Sequence, residues 1–371
     1  MQSSPKLDRI ILMRIGIYDP YLDTLGGGEK YMLAAASCLG LKSDVYVFWD
    51  DANILKLAQK KFNIDLSKVK TTDNIFKPDI SSLYRFIESK KFDSILFLSD
   101  GSLPLVACDL YVHFQFPVEW VSSNSFMDKI KIKRIKKFIC NSYFTKEHID
   151  KKFNIESMVI YPPTYYKTKF PKIDYKNKEN IILNVGRYQR LSDGTSFKKQ
   201  EFIINTFKKL VDKGLKNWQL YLVLSFFEKD RKFTEEIKKT VKNYPIKVLE
   251  NISYNDLSQV YKKARIYWHA SGFGEDLKTH PEKAEHFGIT TVEAMINGLV
   301  PIVIDAGGQK EIAEENKSGF LWKTQEELLL KTSLLIEDPV KLNEMAKKAV
   351  ERSKIFSTDN FCTKILHEFI K

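Results

Sequence analysis

Glu285 and Glu293 bracket the segment Glu285-His286-Phe287-Gly288-Ile289-Thr290-Thr291-Val292-Glu293, with seven residues between the two carboxylates. Gly288 stands where a loop turns into a helix, and Gly298 where that helix stops. A helix start exposes unpaired N–H groups and a partial positive charge, so it attracts phosphate. A glycine there lets the phosphate come close to the backbone. The candidate phosphate contacts are therefore Phe287, Gly288, Ile289 and Thr290, with His286 beside them. A carboxylate next to a phosphate repels it, so both glutamates must face hydrogen-bond donors. Sugar hydroxyls fit, because one carboxylate accepts from two vicinal hydroxyls. The same spacing also suits a first-turn helix stabiliser at Glu293 and a solvated Glu285.

A second set of groups could hold the other end of such a ligand. Gly186-Arg187 follows the apolar run Ile181–Val185, and Lys198-Lys199 precedes the helical pattern Phe202–Leu210. An arginine and a lysine on strand-end loops can neutralise a diphosphate without a metal ion. No Asp-x-Asp occurs in the chain, and no histidines or cysteines show metal-ligand spacing, so no metal is expected. Gly26-Gly27-Gly28-Glu29-Lys30 lies between a strand and a helix and lacks both the dinucleotide spacing and the Walker lysine. It reads as a tight turn or as a place where backbone meets ligand, through Gly27 and Gly28. His113 ends the run Tyr111–Phe114, where an imidazole would point into a cleft or sit hydrogen-bonded in a core; His269 is placed alike.

These groups need elements to position them. Short apolar runs alternate with longer amphipathic stretches: Arg9–Tyr18, Asp44–Trp49, Lys91–Leu98, Leu110–Phe114 and Phe138–Cys140 read as strands, and Gly28–Cys38 as a helix. A second series begins at Asn180 with Ile181–Val185, Leu220–Leu224, Ile246–Leu249, Ile266–His269 and Val300–Ile304. Such alternation predicts parallel sheets with helices on both faces, an α/β class, with ligands beyond the carboxyl ends of the strands. Pro162–Asn180 is rich in proline, lysine and tyrosine and reads as a linker. The expected division is residues 1–165, a linker at 166–179, a second unit at 180–355, and a helix at 356–371.

At 371 residues and 43% hydrophobic, the chain can bury two cores, and disorder as the main state is excluded. The apolar runs are strand-sized, short of the roughly 18 residues a spanning helix needs. Arg14 interrupts Ile10–Tyr18, which reads as a first strand and not as a leader. The four cysteines, Cys38, Cys108, Cys140 and Cys362, have no paired spacing and read as reduced cytosolic thiols. A net charge of +12 calls for anionic company. The basic residues are spread over both halves without a recognition module, so nucleic acid is not expected. Six basic residues crowd Lys129–Lys137 between Ile130, Ile132 and Ile135, which suits a solvated helix face or peripheral contact with an anionic membrane.

Together these segments resemble the retaining glycosyltransferases of family 4, with the two-domain GT-B fold. Gly26–Tyr31 resembles the family's glycine-rich loop and Tyr111–Phe114 its cleft histidine segment. Asn141-Ser142-Tyr143-Phe144-Thr145 and Tyr161-Pro162-Pro163 resemble the end of its first domain. Val185-Gly186-Arg187 with Lys199 resembles its phosphate-binding pair, and Glu285–Glu293 and Gly307-Gly308 its signature and next loop. Within the family, Val112-His113-Phe114 and Glu285-His286-Phe287-Gly288 are most similar to α-1,2-mannosyltransferases that extend lipid-linked oligosaccharides from GDP-mannose. Bacterial polysaccharide transferases, some using UDP-sugars, carry similar segments.

The resemblance implies two Rossmann-like domains facing a cleft, the first binding acceptor and the second donor, with a C-terminal helix returning to the first. It implies that Arg187 and Lys199 bind the donor diphosphate, Glu293 the ribose and Glu285 the transferred sugar, with His113 contacting that sugar. It implies a nucleotide-sugar donor, a glycan or lipid-linked acceptor, no cofactor, and work in the cytoplasm or on its membrane face. Three features depart from the family. The loop Tyr188–Lys198 is long, so Lys198 competes with Lys199; Ser225-Phe226-Phe227 replaces usual glycines; and Phe273–Ala284 is long and polar. A phosphorylase or epimerase of related fold, or a non-catalytic binder of anionic surfaces, is the alternative.

Overall fold

The computed structural model describes residues 12–120, 125–164, 170–190, 194 and 196–370. The first sheet holds seven parallel strands: β1 (Arg14–Tyr18), β2 (Asp44–Phe48), β3 (Val69–Thr72), β4 (Ser94–Leu98), β5 (Asp109–Phe114), β6 (Ile135–Cys140) and β7 (Met158–Val159). Their order is β3-β2-β1-β4-β5-β6-β7. The second sheet holds β8 (Ile181–Arg187), β9 (Gln219–Ser225), β10 (Ile246–Glu250), β11 (Ile266–His269), β12 (Val300–Ile304) and β13 (Phe320–Trp322), in the order β10-β9-β8-β11-β12-β13. Every pairing between these strands is parallel among the described residues, and β8 runs beside β9 in unbroken register from Ile181↔Gln219 to Arg187↔Ser225. Central strands such as Ser94–Leu98 and Val300–Ile304 are buried at every position, because helices cover both faces.

Those helices are α1 (Gly27–Leu39), α2 (Asn53–Phe62), α3 (Ser82–Ser89), α4 (Phe126–Arg134) and α5 (Tyr143–Phe153) around the first sheet. Around the second are α6 (Gln200–Asp212), α7 (Arg231–Val241), α8 (Tyr254–Lys263), α9 (Ile289–Ile296), α10 (Gln309–Ile312), α11 (Gln325–Glu337) and α12 (Pro339–Ser353), followed by α13 (Thr358–Phe369). Local chemistry sets their ends. Ser142 caps α5 by accepting from the Thr145 amide at 3.0 Å, and the helix stops at Asn154 in the left-handed conformation.

As the sequence implied, α13 crosses back to the first sheet. Phe361, Ile365 and Phe369 join the core formed by α1, α2 and β1, and Tyr111 stacks on Phe369 with ring centroids 3.9 Å apart. This return corrects the reading of four reduced thiols. Cys38 on α1 and Cys362 on α13, 324 residues apart in sequence, form a disulfide with Cα atoms 5.3 Å apart. Only Cys108 and Cys140 stay free, and burial pushes both thiols up to about 12.

Three strands carried no sequence signal: β3, β7 and β13, each at the edge of its sheet. The basic stretch Lys129–Lys137 is also not one helix. It breaks at Arg134, and Lys136 and Lys137 belong to β6, where they pair with Asp109 and Glu368. Arg9–Ile11, 165–169 of the linker and 191–193 of the loop after Arg187 lie outside the described residues. Among the described residues, no helix is long and apolar enough to cross a membrane.

Candidate active site

The carboxyl ends of the two sheets meet around a cavity of about 490 Å³. From the first unit come Gly26, Gly27 and Gly28 after β1, Gln115 and Phe116 after β5, and Asn141 after β6. From the second come Arg187 and Ser225 at the ends of β8 and β9, Lys198 before α6, and Glu285–Thr290 leading into α9. Most of the predicted donor contacts are therefore on one cavity: Gly27, Gly28, Arg187, Glu285, His286, Phe287, Gly288, Ile289 and Thr290.

The second unit supplies charge. Glu285 Oε2 receives the Lys198 ammonium at 2.5 Å and lies 2.7 Å from His269 Nε2. Burial would raise the Glu285 carboxyl, but the Lys198 charge and the His269 hydrogen bond outweigh it and hold the group well below the usual carboxylate range. His269 is itself held below the ordinary histidine value by burial, against the opposing pull of Glu285. The neutral ring can donate Nε2–H to Glu285, which orients the carboxylate. The Arg187 guanidinium lies 5.1 Å from the centroid of the Phe227 ring, and 3.7 Å from where a Cβ on Gly26 would stand.

Gly288 opens α9 with φ of 118°, a conformation other residues rarely adopt, and a side chain there would overlap the Gln309 amide. The amides of Ile289 and Thr290, in the first helical turn, have no intrahelical acceptor and border the cavity. The Thr290 hydroxyl is fixed by Tyr267 OH at 2.7 Å, and Thr291 donates to Gln309 Oε1 at 2.8 Å. The Gly308 amide donates to the Glu285 carbonyl at 2.8 Å, so the second glycine loop supports the signature from beneath. Burial pulls His286 down to about 4, and its Nε2 lies 3.0 Å from the Glu282 carbonyl.

The first unit supplies backbone, neutral groups and one carboxylate, Glu29, which accepts from the Gly26 amide. Gln115 donates to the Gly28 carbonyl at 3.0 Å, and Asn141 donates to the Gln115 carbonyl at 2.8 Å. A side chain on Gly28 would overlap the Gln115 amide. The two units are also clasped outside the cavity. The Glu311 carboxylate accepts from the Tyr143 and Phe144 amides at 2.8 and 2.7 Å, at the start of α5.

Two expected site residues lie elsewhere, and one sits deeper. His113 is fully buried, stacked on Tyr31 with centroids 4.0 Å apart, its Nδ1 3.2 Å from the Ile139 carbonyl. The alternation of β5 turns it towards α1, and Gln115, past the strand end, reaches the cavity instead. Lys199 adopts φ of 55°, and this left-handed turn directs its ammonium to Glu275, which also receives Lys283 at 2.8 Å. Lys198 is the lysine that faces the cavity. Glu293 sits below the cavity lining, with Tyr261 OH donating to it at 3.3 Å and Lys30 of the first unit at 3.5 Å. Gln115 was missed altogether, and its one sequence signal is that it directly follows a strand end. His269 was visible by position, but its partner Glu285 was not.

The chain matches the family model described as glycosyl transferases group 1 over residues 166–353, about half its length. It belongs to that family. Over 250 residues it is 26% identical to the GDP-Man:Man(3)GlcNAc(2)-PP-Dol alpha-1,2-mannosyltransferase of Dictyostelium discoideum, covering 62% of this chain and 46% of that protein. It is also 26% identical over 248 residues to trehalose synthase of Thermococcus litoralis, covering 62% of this chain and 55% of that protein. The chain thus spans about half the length of these curated relatives. The structure of Anabaena HepE in complex with UDP and glucose superposes with a TM-score of 0.68 at 18% identity, covering 96% of this chain and 99% of that one. The architecture is GT-B, as the resemblance to family 4 implied.

Proposed function

We propose that this chain moves a hexosyl group, with mannosyl favoured, from a nucleoside diphosphate sugar to a glycan or lipid-linked acceptor, retaining anomeric configuration and using no metal ion. One observation carries the reading: Glu285, oriented by His269 and Lys198, shares a cavity with Arg187 and the first amides of α9. Arg187 and Lys198 offer two fixed cations to a diphosphate, and the Ile289 and Thr290 amides offer donors to its distal phosphate. Glu285 presents its second oxygen to the sugar hydroxyls. Glu293, exchanging Lys30 for ligand, is the candidate for the ribose.

In the proposed reaction the bond from the anomeric carbon to the diphosphate oxygen breaks. The acceptor oxygen bonds to that carbon on the same face, and its proton passes to the departing phosphate. Negative charge grows on the leaving group, where Arg187, Lys198 and the helix start act together, so the protein needs no separate base.

The mannosyl preference rests on the Dictyostelium relative. A uridine nucleotide is the second reading, supported by the UDP complex of HepE. A thermal-shift panel separates them, because a ligand that binds the folded state raises apparent stability by mass action. GDP is expected to raise the melting temperature more than UDP, without added divalent metal. A larger UDP shift selects the second reading, and no shift with any nucleoside diphosphate overturns both.

A further inference from the structure

The segment that follows β5 runs from the cavity to the surface and carries aromatic rings along its way. Phe116 lines the cavity beside Gln115, and it also packs against the core beneath the first sheet. Towards the cavity, the His286 ring centroid lies 6.0 Å from that of Phe116, with the planes 41° apart. Towards solvent, Trp120 stacks on Phe116 at 5.9 Å, with the planes 29° apart. Trp120 is 62% exposed. Among the described residues it is the one exposed tryptophan: Trp218, Trp268 and Trp322 are buried and Trp49 is half-buried.

The turn that carries Trp120 is fastened on both sides. Pro117 and Val118 are buried, and Lys152 of α5 donates to the Glu119 carbonyl at 2.6 Å. The Glu119 carboxylate faces α5, 3.7 Å from His148 and 3.8 Å from Lys152. Trp120 is therefore held in water by an anchored turn, and the charge next to it in sequence is engaged elsewhere. A large aromatic face left in water at the mouth of a cavity signals a ligand with an apolar side. A pyranose has one. The C–H bonds on a face of its ring carry slight positive charge and meet the negative face of an aromatic ring. The hydroxyls around its edge are left for neutral amides, such as those of Gln115 and Asn141 on the same cavity wall.

We propose that Phe116 and Trp120 form a stacking subsite for a pyranose ring of a glycan acceptor, leading that glycan from solvent towards Glu285. The assignment rests on the reading of the cavity as a glycosyl-transfer site; it adds the class of acceptor and the two side chains that grip it. His286, next in the chain to Glu285, marks the inner end of the aromatic path. Stacking tolerates many hydroxyl patterns, so the two rings set the orientation of the sugar and the amides choose among its hydroxyls. A hydrocarbon tail is the competing occupant. It would gain from apolar area alone and needs neither an aromatic face nor the amides.

The test is calorimetric titration of the full chain with di- and trisaccharides of mannose and of glucose, with and without saturating GDP or UDP. The wild type is expected to bind at least one of these series. Trp120→Leu should weaken that binding about tenfold and Trp120→Phe less than about threefold, because only the first removes the aromatic face. Sugar binding should also move the wild-type tryptophan emission to shorter wavelength, and this shift should be absent from Trp120→Phe, since the other tryptophans are already buried or half-buried. Both variants change a surface side chain, so nucleotide affinity should stay within about twofold and unliganded melting temperature within about 2 °C. Wild-type sugar affinity in Trp120→Leu, or no binding of any of these sugars by the wild type, overturns the proposal. So does an alkyl glycoside whose affinity grows with chain length and survives Trp120→Leu, which would put hydrocarbon on this surface. Failure of both GDP and UDP to bind overturns the transfer reading instead, and the titration without nucleotide then decides the sugar subsite by itself.

Discussion

The two units bring different chemistry to the cavity between them. The second unit brings Arg187, Lys198, Glu285 and a helix start, held by His269, Tyr267 and Gln309. The first brings glycine backbone, the neutral amides of Gln115 and Asn141, and one carboxylate, Glu29, which accepts from the Gly26 amide. Their strand-end histidines differ in the same way. His269 orients a carboxylate at the cavity, whereas His113 lies under Tyr31 and holds a backbone carbonyl. Similar topology therefore does not imply similar work. A strand end becomes a site only where its side chain finds a charged partner facing the cavity.

That contrast is open to attack, starting where the largest effect is expected. Glu285→Gln should lower transfer at least about 100-fold while nucleotide-induced stabilisation persists, because the loss is felt mainly as charge develops. Normal turnover in this variant, measured by product formation, would remove the second unit's claim to the chemistry. Lys198→Gln should weaken nucleoside diphosphate binding about tenfold, as read by titration calorimetry, while Lys199→Gln changes it less than twofold. The reverse ranking would return the phosphate role to Lys199.

Two smaller effects probe the first unit. Reducing the Cys38–Cys362 disulfide, or replacing Cys38 by Ser, should lower stability by about 2–4 kcal/mol in denaturant titration, since the bridge closes most of the chain into one loop. His113→Phe should leave turnover within about twofold and alter the acid side of the stability curve. Burial lowers this histidine from 6.5 to about 3. Between those values the unfolded chain binds a proton that the native one refuses, so stability falls as pH drops below 6.5. The Phe variant should show a shallower decline, and an unchanged slope would show that His113 is not the group responsible.

Much of the scaffold could be read from pattern. Strands with apolar runs, such as Ile266–His269 and Val300–Ile304, were placed to the residue because helices cover both faces and the whole run must be apolar. The edge strands β3, β7 and β13 were invisible for the opposite reason. They are short, pair on one side only, and exist because a neighbour supplies hydrogen bonds. In the candidate site, the signature from Glu285 to Thr290 was readable because a helix start and a glycine leave local marks. The choice between Lys198 and Lys199 was not. One backbone angle at Lys199 sends adjacent, chemically identical side chains to different carboxylates.

Residue order was enough for the α/β class, the glycine at the mouth of α9 and the stock of cations and carboxylates, because each depends on neighbours within a few positions. Everything that depends on distant segments meeting needed the folded chain: the bridge from Cys38 to Cys362, the burial of His113 beneath Tyr31, and the grip of His269 on Glu285. Local spacing fixes which groups a segment can offer. Packing fixes which of them lose water, meet an opposite charge, and so acquire a role.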